Sequence, residues 1–446
     1  QTLQKAQSFD KVGDYEYDNL AWGFPTEKEM LDKFLTIINE QDPDVITGWY
    51  VTGADIKTII ERCNKVGLKP SRLSPMNKIR YQFGDWAQPI LGRNCIDLMI
   101  GFSKLWELKN GKLPSYKLDD VSSEVLGEKK IELPDGHNTY LTDLPLYLHY
   151  ARQDVRLLPK LDSKVNAIEY YLALQHLVQC DIRSTPFITK MFTNLALMDD
   201  NFPMKIPTSP QFAKVDYEGA NVMEVESGLY KNVGILDVKA MYHSNASLYN
   251  ISWDTLDKDG QDCGNGTKFN LESKGLLVNQ MDYMTKLRNK FKALVKSDPS
   301  NYDKWDTMQF ACKSLVASMY GVAGDAKYGL YNPEVASAIT YTSRQTLDKL
   351  KEEVESFGFK VIYGHTDSVF VLIPSPQEGM DALLEAEDNT KSNDQLSPKA
   401  REVREWFERI YKDLELKKWT NTNFQKNFYT RVLSDDLANS AELQDG

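Results

Sequence analysis

The stretch Val361-Ile-Tyr-Gly-His-Thr-Asp-Ser-Val-Phe-Val371 consists of two apolar runs separated by a short polar hinge. β-Branched and aromatic residues on both sides of such a hinge predict a β-hairpin. Gly364 and Asp367 are residue types that ordinary turns prefer, and on spacing alone they could serve only the turn. A chemical role for Asp367 therefore requires a partner elsewhere in the chain.

A second apolar run, Val233-Gly-Ile-Leu-Asp-Val-Lys-Ala-Met-Tyr242, predicts a buried strand that contains Asp237. A carboxylate inside a buried strand is costly unless a cation or hydrogen bonds compensate it. Asp237 and Asp367 could together hold two divalent cations about 4 Å apart, the arrangement used in phosphoryl and nucleotidyl transfer. The two acids therefore predict a metal-dependent site on a sheet.

Three segments resemble motifs of family B DNA polymerases, and they follow the order found in that family. The hairpin resembles the YGDTDS motif, residues 237–244 (DVKAMYHS) resemble DxxSLYPS, and residues 313–321 (KSLVASMYG) resemble KxxxNSxYG. One such motif is a weak signal, whereas three in order are a strong one. The resemblance implies template-directed DNA synthesis, with Mg²⁺ (or Mn²⁺) as metal and primer-template DNA and dNTPs as partners.

The resemblance assigns roles around the two acids. Asp237 and Asp367 would be the catalytic metal ligands. The ring of Tyr242 would pack under the sugar and exclude a 2′-hydroxyl, which favours deoxynucleotides. Tyr320 would support the nascent base pair, although an ordinary core tyrosine at a helix end is the alternative.

Two antiparallel helices are predicted on either side of a turn at Asp298–Asn301, and they resemble the short fingers of the family. Arg288, Lys292 and Lys313 on these helices would bind the triphosphate, because fixed cations stabilise the charge that develops on its oxygens. A solvated basic helix face is the alternative. Residues 255–275, which are polar and contain glycine, are expected to form a loop.

The N-terminal part of the chain predicts an α/β layer. Thr26-Glu-Lys-Glu29 is a capping box at the start of a helix, residues 44–49 predict a strand, and Asp55 opens a second helix. Residues 42–55 resemble the second exonuclease motif of the same polymerases. The resemblance implies an RNase H-like 3′-5′ exonuclease domain.

Tyr150-Ala-Arg-Gln-Asp154 resembles the third exonuclease motif, YxxxD. Residues four apart share a helix face, so both side chains can enter one site, with a solvated face as the alternative. The resemblance makes Asp154 a metal ligand and Tyr150 an orienter of the attacking water, and with Asp55 they would form a partial site. No counterpart of the first exonuclease motif precedes Asp44, so proofreading is expected to be vestigial or incomplete.

Contacts to DNA follow from two further segments. Tyr217-Glu-Gly-Ala220 resembles the YxGG/A motif that touches the template, which would involve Tyr217 and Gly219, although Tyr217 could be a turn tyrosine. Lys426 and Tyr429 match part of the KKRY element. The family's thumb would follow this element, so a polymerase truncated at both ends, or a product of a split gene, is expected.

Four segments are predicted on this basis. They are a partial exonuclease domain (1–200), a linker with the first part of the palm (201–280), fingers (281–322), and the rest of the palm with the start of the thumb side (323–446). The fold class is α/β and α+β, with several domains. A processivity factor or the missing parts of a longer or split polymerase are further expected partners.

Several residues depart from the family pattern. Ala240 and His243 replace Ser and Pro, Ala317 replaces Asn, and Tyr50 and Ala54 replace Asn and an aromatic residue in the exonuclease motif. His365 replaces the first Asp of the hairpin motif. It could bind metal, contact a primer phosphate or fill the turn, and because Mg²⁺ prefers oxygen donors a role other than ligand is favoured.

Composition limits the function classes. The net charge of −11 argues against nucleic acid as a partner unless local charge overrides the total, and basic residues do concentrate between 286 and 313. No window approaches a membrane span, and five scattered cysteines favour a reducing compartment. The family resemblance implies the cytoplasm of a microbial or virus-infected cell. A degenerate polymerase module that binds DNA or partners without catalysis remains the competing function. A reverse transcriptase or RNA polymerase is disfavoured because the tip reads HTDS rather than YxDD.

Overall fold

The computed structural model describes residues 5–199, 205–206, 212–220, 223, 230, 233–356, 358–372, 393–398, 401 and 404–405. The chain forms two compact units. The first contains residues 1–191 and 290–311, and the second contains residues 192–289 and 312–446. Within the described residues, no helix is long and apolar enough to cross a membrane. The four predicted segments stay a prediction.

The first unit begins with an antiparallel hairpin and continues as an α/β layer. Its elements are β1 (Gln7–Val12), β2 (Tyr15–Gly23), α1 (Glu27–Gln41), β3 (Val45–Gly48), α2 (Asp55–Lys65), β4 (Asn94–Asp97), α3 (Leu98–Asn110), α4 (Leu118–Leu126), α5 (Thr139–Thr142), α6 (Leu144–Val165) and α7 (Ala167–Val178). The helix α8 (Ile188–Leu197) follows and continues into the second unit. The predicted capping box is confirmed, since the Thr26 side chain accepts a hydrogen bond from the Glu29 amide.

Strands β3 and β4 pair in parallel, with Val45 opposite Asn94. The two helices α1 and α2 pack their apolar faces into one core with the residues that follow β3. This core includes Leu35, Ile60 and Cys63, which are fully buried. Helix, strand and helix therefore form the layer that the periodicity of the sequence predicts.

The second unit is built around a three-stranded antiparallel sheet of order β5-β9-β8. Its elements are β5 (Val233–Asp237), α9 (Met241–Leu248), β6 (Leu256–Asp262), β7 (Lys268–Phe269), α10 (Leu276–Ser297), α11 (Tyr302–Met319), α12 (Pro333–Ser356), β8 (Lys360–His365) and β9 (Ser368–Leu372). Residues 290–297 of α10 and residues 302–311 of α11 belong to the first unit. Helix α12 packs Leu347, Leu350 and Val354 against Val369 and Val371 of the sheet.

The predicted hairpin is confirmed, and helices form on both sides of the predicted turn. A 3-10 turn, Pro299–Asn301, separates α10 from α11 where the sequence predicts a turn. The segment with Lys426 and Tyr429 lies outside the described residues.

The prediction of a loop over residues 255–275 is wrong in part, because β6 and β7 form a hairpin there. Its turn is held locally, since the Asp262 carboxylate accepts the amides of Gly264 and Gly266 at 2.7 and 3.0 Å. The strands are polar and largely exposed, so they lack the alternation of apolar residues that identifies a strand in sequence.

Candidate active site

The pairing of β5 with β9 brings the two predicted acids together. Asp237 ends β5 and lies opposite Ser368, the first residue of β9, across 131 positions of sequence. The Val238 amide donates to the Asp367 carbonyl oxygen at 2.8 Å, which fixes the turn against the end of β5. Backbone hydrogen bonds therefore place both carboxylates at one edge of the sheet.

The turn that carries Asp367 is a tight three-residue turn. The Asp367 amide donates to the His365 carbonyl oxygen at 2.6 Å, and the residue between them, Thr366, has a φ of +56°. This left-handed form of the γ-turn is rare and strained. Strain of this kind persists only where surrounding structure imposes it, and it is concentrated at functional sites.

A serine links the two carboxylates, and the sequence does not predict this contact. The hydroxyl of Ser368, which is buried, donates to Asp237 Oδ2 at 3.0 Å and lies 3.4 Å from Asp367 Oδ1. Burial, and then the charge of Asp237, raise the pKa of Asp367 above its usual range. Burial and mutual repulsion therefore make it unfavourable for Asp237 and Asp367 to be ionised at the same time.

The donor set suits a hard divalent cation. Carboxylate oxygens are ligands that Mg²⁺ prefers, and a cation would remove the repulsion that raises the pKa of Asp367. Among the described residues, no group of three or more acidic, cysteine or histidine side chains is arranged to hold a metal. That Asp237 and Asp367 bind the metal stays a prediction.

Two tyrosines that the sequence assigns to the nucleotide site lie together. The rings of Tyr242, in the first turn of α9, and Tyr320, directly after α11, stack with centroids 4.2 Å apart and planes 12° apart. Burial, followed by the neighbouring Tyr320, raises the pKa of Tyr242, and the charge of Asp367 contributes to the same shift. The stacked pair thus lies beside the carboxylates.

The segment with Tyr217 lies against the same region. Burial and then Tyr320 raise the pKa of Tyr217, and a Cβ on Gly324 would come within 2.1 Å of the Tyr217 hydroxyl oxygen. The Gly219 carbonyl accepts from Arg344 on α12 at 2.7 Å. Tyr217 and Gly219 are therefore part of the second unit's packed structure, with Tyr217 next to the stacked tyrosines.

Two basic side chains of the second unit, Lys239 and Arg288, lie close enough to interact electrostatically. The Nε atom of Arg288 is buried and has no hydrogen-bond partner among the residues that the structure describes. Burial lowers the pKa of Arg288, and burial together with the Arg288 charge lowers the pKa of Lys239. An anion bound near Arg288 and Lys239 would reduce the repulsion between these two partly buried cations. Lys239 is absent from the predicted site, and its position two residues after Asp237 was the signal that could have identified it.

The other two predicted triphosphate ligands, Lys313 and Lys292, lie on α11 and α10. Lys313 is exposed on α11. Lys292 follows Arg288 on α10 by four residues and lies in the segment 290–311 that belongs to the first unit. Their role stays a prediction. His365 is exposed at the tip of the hairpin, where its Nδ1 atom lies 3.1 Å from the Thr366 hydroxyl.

The first unit brings together two of the three predicted exonuclease residues. Lys130 binds both, with its Nζ atom 2.7 Å from Asp154 Oδ2 and 3.3 Å from the Tyr150 hydroxyl. Although burial opposes it, the contact with Asp154 raises the pKa of Lys130. Asp154 Oδ1 is buried without a hydrogen-bond partner in the described structure. Asp55 opens α2, and within the described residues it forms no hydrogen bond or ion pair with Tyr150 or Asp154.

Residues 42–55, which resemble the second exonuclease motif, are hydrogen-bonded to a buried acid, Asp97, that the sequence does not predict as functional. Asp97 is fully buried and accepts hydrogen bonds from the Tyr50 and Thr52 amides at 3.0 and 3.3 Å. Tyr50 has a φ of +61°, a conformation that the Asn of the resembling motif adopts more easily. Asp97 therefore fixes the turn that leads into α2.

Comparison with known proteins covers both units. The sequence model of a family described as DNA polymerase family B matches residues 187–418, and that of its exonuclease domain matches residues 4–121. The DNA polymerase of Thermococcus gorgonarius is 29% identical over 370 residues, which are 78% of this chain and 47% of that protein. DNA polymerase 1 of Pyrococcus abyssi is 28% identical over 374 residues, with the same coverage of 78% and 47%.

A eukaryotic protein also matches. The DNA polymerase delta catalytic subunit of Plasmodium falciparum is 28% identical over 454 residues, which cover 88% of this chain and 40% of that protein. The chain spans about half the length, or 40% to 47%, of these relatives.

Proposed function

Because the chain belongs to the family B DNA polymerases, with an exonuclease domain followed by a polymerase domain, we propose that the protein carrying it is a DNA-directed DNA polymerase. It adds dNTPs to a primer 3′ end on a DNA template. The observation that carries this proposal is the placement of Asp237 and Asp367 side by side through the pairing of β5 with β9.

Polymerases of this family depend on divalent metal. In the proposal Asp237 and Asp367 hold Mg²⁺, with Mn²⁺ as an alternative. Bound metal would activate the primer hydroxyl and neutralise charge on the transferred phosphate. Ser368 keeps the two carboxylates aligned through its hydroxyl.

The basic residues of the second unit hold the triphosphate. Arg288 has a planar, permanently charged guanidinium, and its buried Nε can donate a hydrogen bond to a phosphate oxygen. Lys239 adds a second cation near it. Lys313, on α11 in the second unit, adds a further cation, while Lys292 lies in the segment of α10 that belongs to the first unit. Fixed donors of this kind stabilise charge that develops on the phosphate without reorganisation during the reaction.

The stacked tyrosines bind the nucleotide's sugar and base. Tyr242 excludes a 2′-hydroxyl by the bulk of its ring, and Tyr320 holds that ring in place by stacking at 4.2 Å. Tyr217 and Gly219 contact the template. Primer-template DNA and dNTPs are thus the substrates, in a cytoplasmic setting. A processivity factor or further polymerase segments complete the set of partners.

The exonuclease domain is proposed to be incomplete as a proofreading site. Lys130 binds both Tyr150 and Asp154. Asp55 makes no hydrogen bond with either of them in the part of the chain that the structure describes. A second candidate function, a module that binds DNA without synthesis, is favoured by the exposed His365 at the position where the family motif has an acid.

Primer extension tests the proposal. Asp237→Ala and Asp367→Ala should each reduce extension by about 10³-fold or more, since each removes a metal ligand. Asp259→Ala, which removes an exposed carboxylate on β6, is the matched control and should stay within about twofold of the parent. Extension at a near-parental rate by either site variant would contradict the assignment. A parental protein that binds primer-template without extending it would establish the non-catalytic module instead.

Sugar selection gives a second test. Tyr242→Ala should relax the preference for dNTP over rNTP, because the smaller side chain leaves room for a 2′-hydroxyl. Kinetics with matched dNTP and rNTP on one template measure the ratio of kcat/KM values. An unchanged ratio would remove Tyr242 from the proposed role.

A further inference from the structure

The helix that carries Tyr242 begins in a strained and uncapped turn. Ala240, the residue before α9, has φ +48° and ψ +43° and makes no side-chain capping hydrogen bond. A left-handed conformation is unfavourable for a residue with a Cβ, and a helix without a cap leaves amides of its first turn without a partner. Helix α9 has eight residues, too few to be stable alone. Contacts from other elements must therefore hold its first turn.

One such contact joins α9 to α10. The Nε2 atom of His243, in the first turn of α9, lies 2.8 Å from Asp282 Oδ1 on α10, with the two side chains 14% and 28% exposed. Lys274, which precedes α10, binds the other oxygen of the same carboxylate. We refer to the His243–Asp282 contact as the α9–α10 bridge.

The charge state of the bridge is determined by its partners. Burial raises the pKa of Asp282, but the hydrogen bonds from Lys274 and His243 outweigh burial and lower it below its usual range. An ionised carboxylate only accepts hydrogen bonds, so Nε2 of His243 carries the hydrogen. The bridge is thus a directional, charge-assisted hydrogen bond, the kind that fixes geometry most strongly.

Tyr242 lies between the strained residue and the bridged one. Its ring position is set on one side by the stack on Tyr320 and on the other by the backbone of the turn that His243 anchors. Helix α10 also carries Arg288, six residues after Asp282 and so about 9 Å along the helix axis. The α9–α10 bridge therefore connects α9, which carries Tyr242, to α10, which carries Arg288.

We propose that the α9–α10 bridge is a positioning device for Tyr242, through which His243 and Asp282 set the preference for deoxyribonucleotides. The inference rests on the proposed function and deepens it. His243 acts without touching the nucleotide. It acts by keeping the first turn of α9 in the one position from which the Tyr242 ring blocks a 2′-hydroxyl.

The test measures nucleotide binding rather than synthesis. Ternary complexes with primer-template whose primer ends in a dideoxynucleotide cannot react, so titration with dNTP and with rNTP in Mg²⁺ gives two dissociation constants. Their ratio is the sugar preference. His243→Phe keeps the ring volume and removes the hydrogen-bond donor, and Asp282→Ala removes the acceptor from the other helix. Each should reduce the ratio about fivefold or more.

Controls separate positioning from ordinary stabilisation. His243→Gln keeps an N–H donor and should restore the ratio to within about twofold of the parent. Lys274→Ala removes a cation from the same carboxylate but leaves the oxygen that His243 uses, so it should lower the melting temperature while keeping the ratio. The double variant His243→Phe with Asp282→Ala should be no worse than either single variant, because both break one contact.

The outcomes are distinct. A parental protein that prefers dNTP and keeps that preference in His243→Phe and Asp282→Ala overturns the inference and leaves the proposed function standing. Additive losses in the double variant also overturn it. A parental protein that neither extends primers nor discriminates between the two sugars overturns the proposed function, and the inference with it. If His243→Phe does not fold, Asp282→Ala breaks the same contact and decides the question.

Discussion

The structure around Asp367 opposes the ionisation of its carboxyl, through burial and the charge of Asp237. A carboxyl with a raised pKa in the folded state is penalised when ionised, at every pH above its usual pKa of 3.8. We therefore expect Asp367→Asn to raise the melting temperature of the metal-free protein at pH 7 by roughly 1–3 °C. The gain should shrink as the pH falls toward 4, because the parental carboxyl then becomes neutral.

Metal provides the control for this prediction. Addition of Mg²⁺ should raise the melting temperature of the parent, since a ligand that binds the folded state stabilises it, and should have a smaller effect on Asp367→Asn. Scanning calorimetry with EDTA and with Mg²⁺ measures both. If the parent is more stable than Asp367→Asn in EDTA at pH 7, ionised Asp367 does not destabilise the metal-free protein and the prediction is wrong.

His365 is exposed and contacts its own turn, which suits a residue that is dispensable for metal binding. We expect His365→Asp to keep or raise primer extension, because another carboxylate near two acids strengthens cation binding. Single-turnover extension between pH 6 and 8 measures the effect. A loss of more than about tenfold, or roughly 1.4 kcal/mol of barrier, would instead favour a contact between His365 and a primer phosphate.

Single residues also mark the limit of what the sequence predicts. Asp237 and Asp367 stand out because each interrupts or borders an apolar run. Lys130 and Ser368 do not, since a lysine and a serine are ordinary in their local contexts and acquire roles only from partners far along the chain. His243 is visible as a departure from the motif, but its partner Asp282 is not.

Among the elements, α9 contains the strained start that a single substitution can test. Asn tolerates the left-handed conformation better than Ala and is a good cap, so Ala240→Asn should raise the free energy of unfolding by about 0.5–1 kcal/mol. Ala293→Asn, at an exposed position inside α10, is the matched control and should lower it by about 0.5 kcal/mol. Urea denaturation of both variants measures the difference, and an equal loss in the two would show that the turn is not strained.

Elements differ in how well the sequence predicts them. The sheet strands β5, β8 and β9 are runs of apolar residues in the sequence, and these runs predict them well. The hairpin of β6 and β7 is held by turn hydrogen bonds at Asp262 and by exposed polar strands, which give no such run.

For the whole molecule, net charge sets the conditions of DNA binding. A net charge of −11 repels DNA at long range, so binding must come from local contacts between basic residues and phosphates. We expect the affinity for primer-template to fall about 10- to 100-fold between 50 and 200 mM NaCl. Fluorescence anisotropy measures the slope.

Tyr217→Ala is the control for this prediction, because it removes an uncharged contact. It should weaken binding by a similar factor at every salt concentration and leave the slope unchanged. Affinity that does not vary with salt would exclude phosphate contacts as the source of binding.

The pairing of β5 with β9 has a consequence for how the protein folds. Asp237 meets Ser368 across 131 positions, and closing so long a loop is entropically costly. The intervening chain contains two helices, α10 and α11, and the hairpin of β6 and β7, whose contacts are local in sequence. We therefore expect these elements to form first and to shorten the effective loop. The strand pairing that assembles the carboxylates should therefore form late, so that during refolding helical signal returns before activity does.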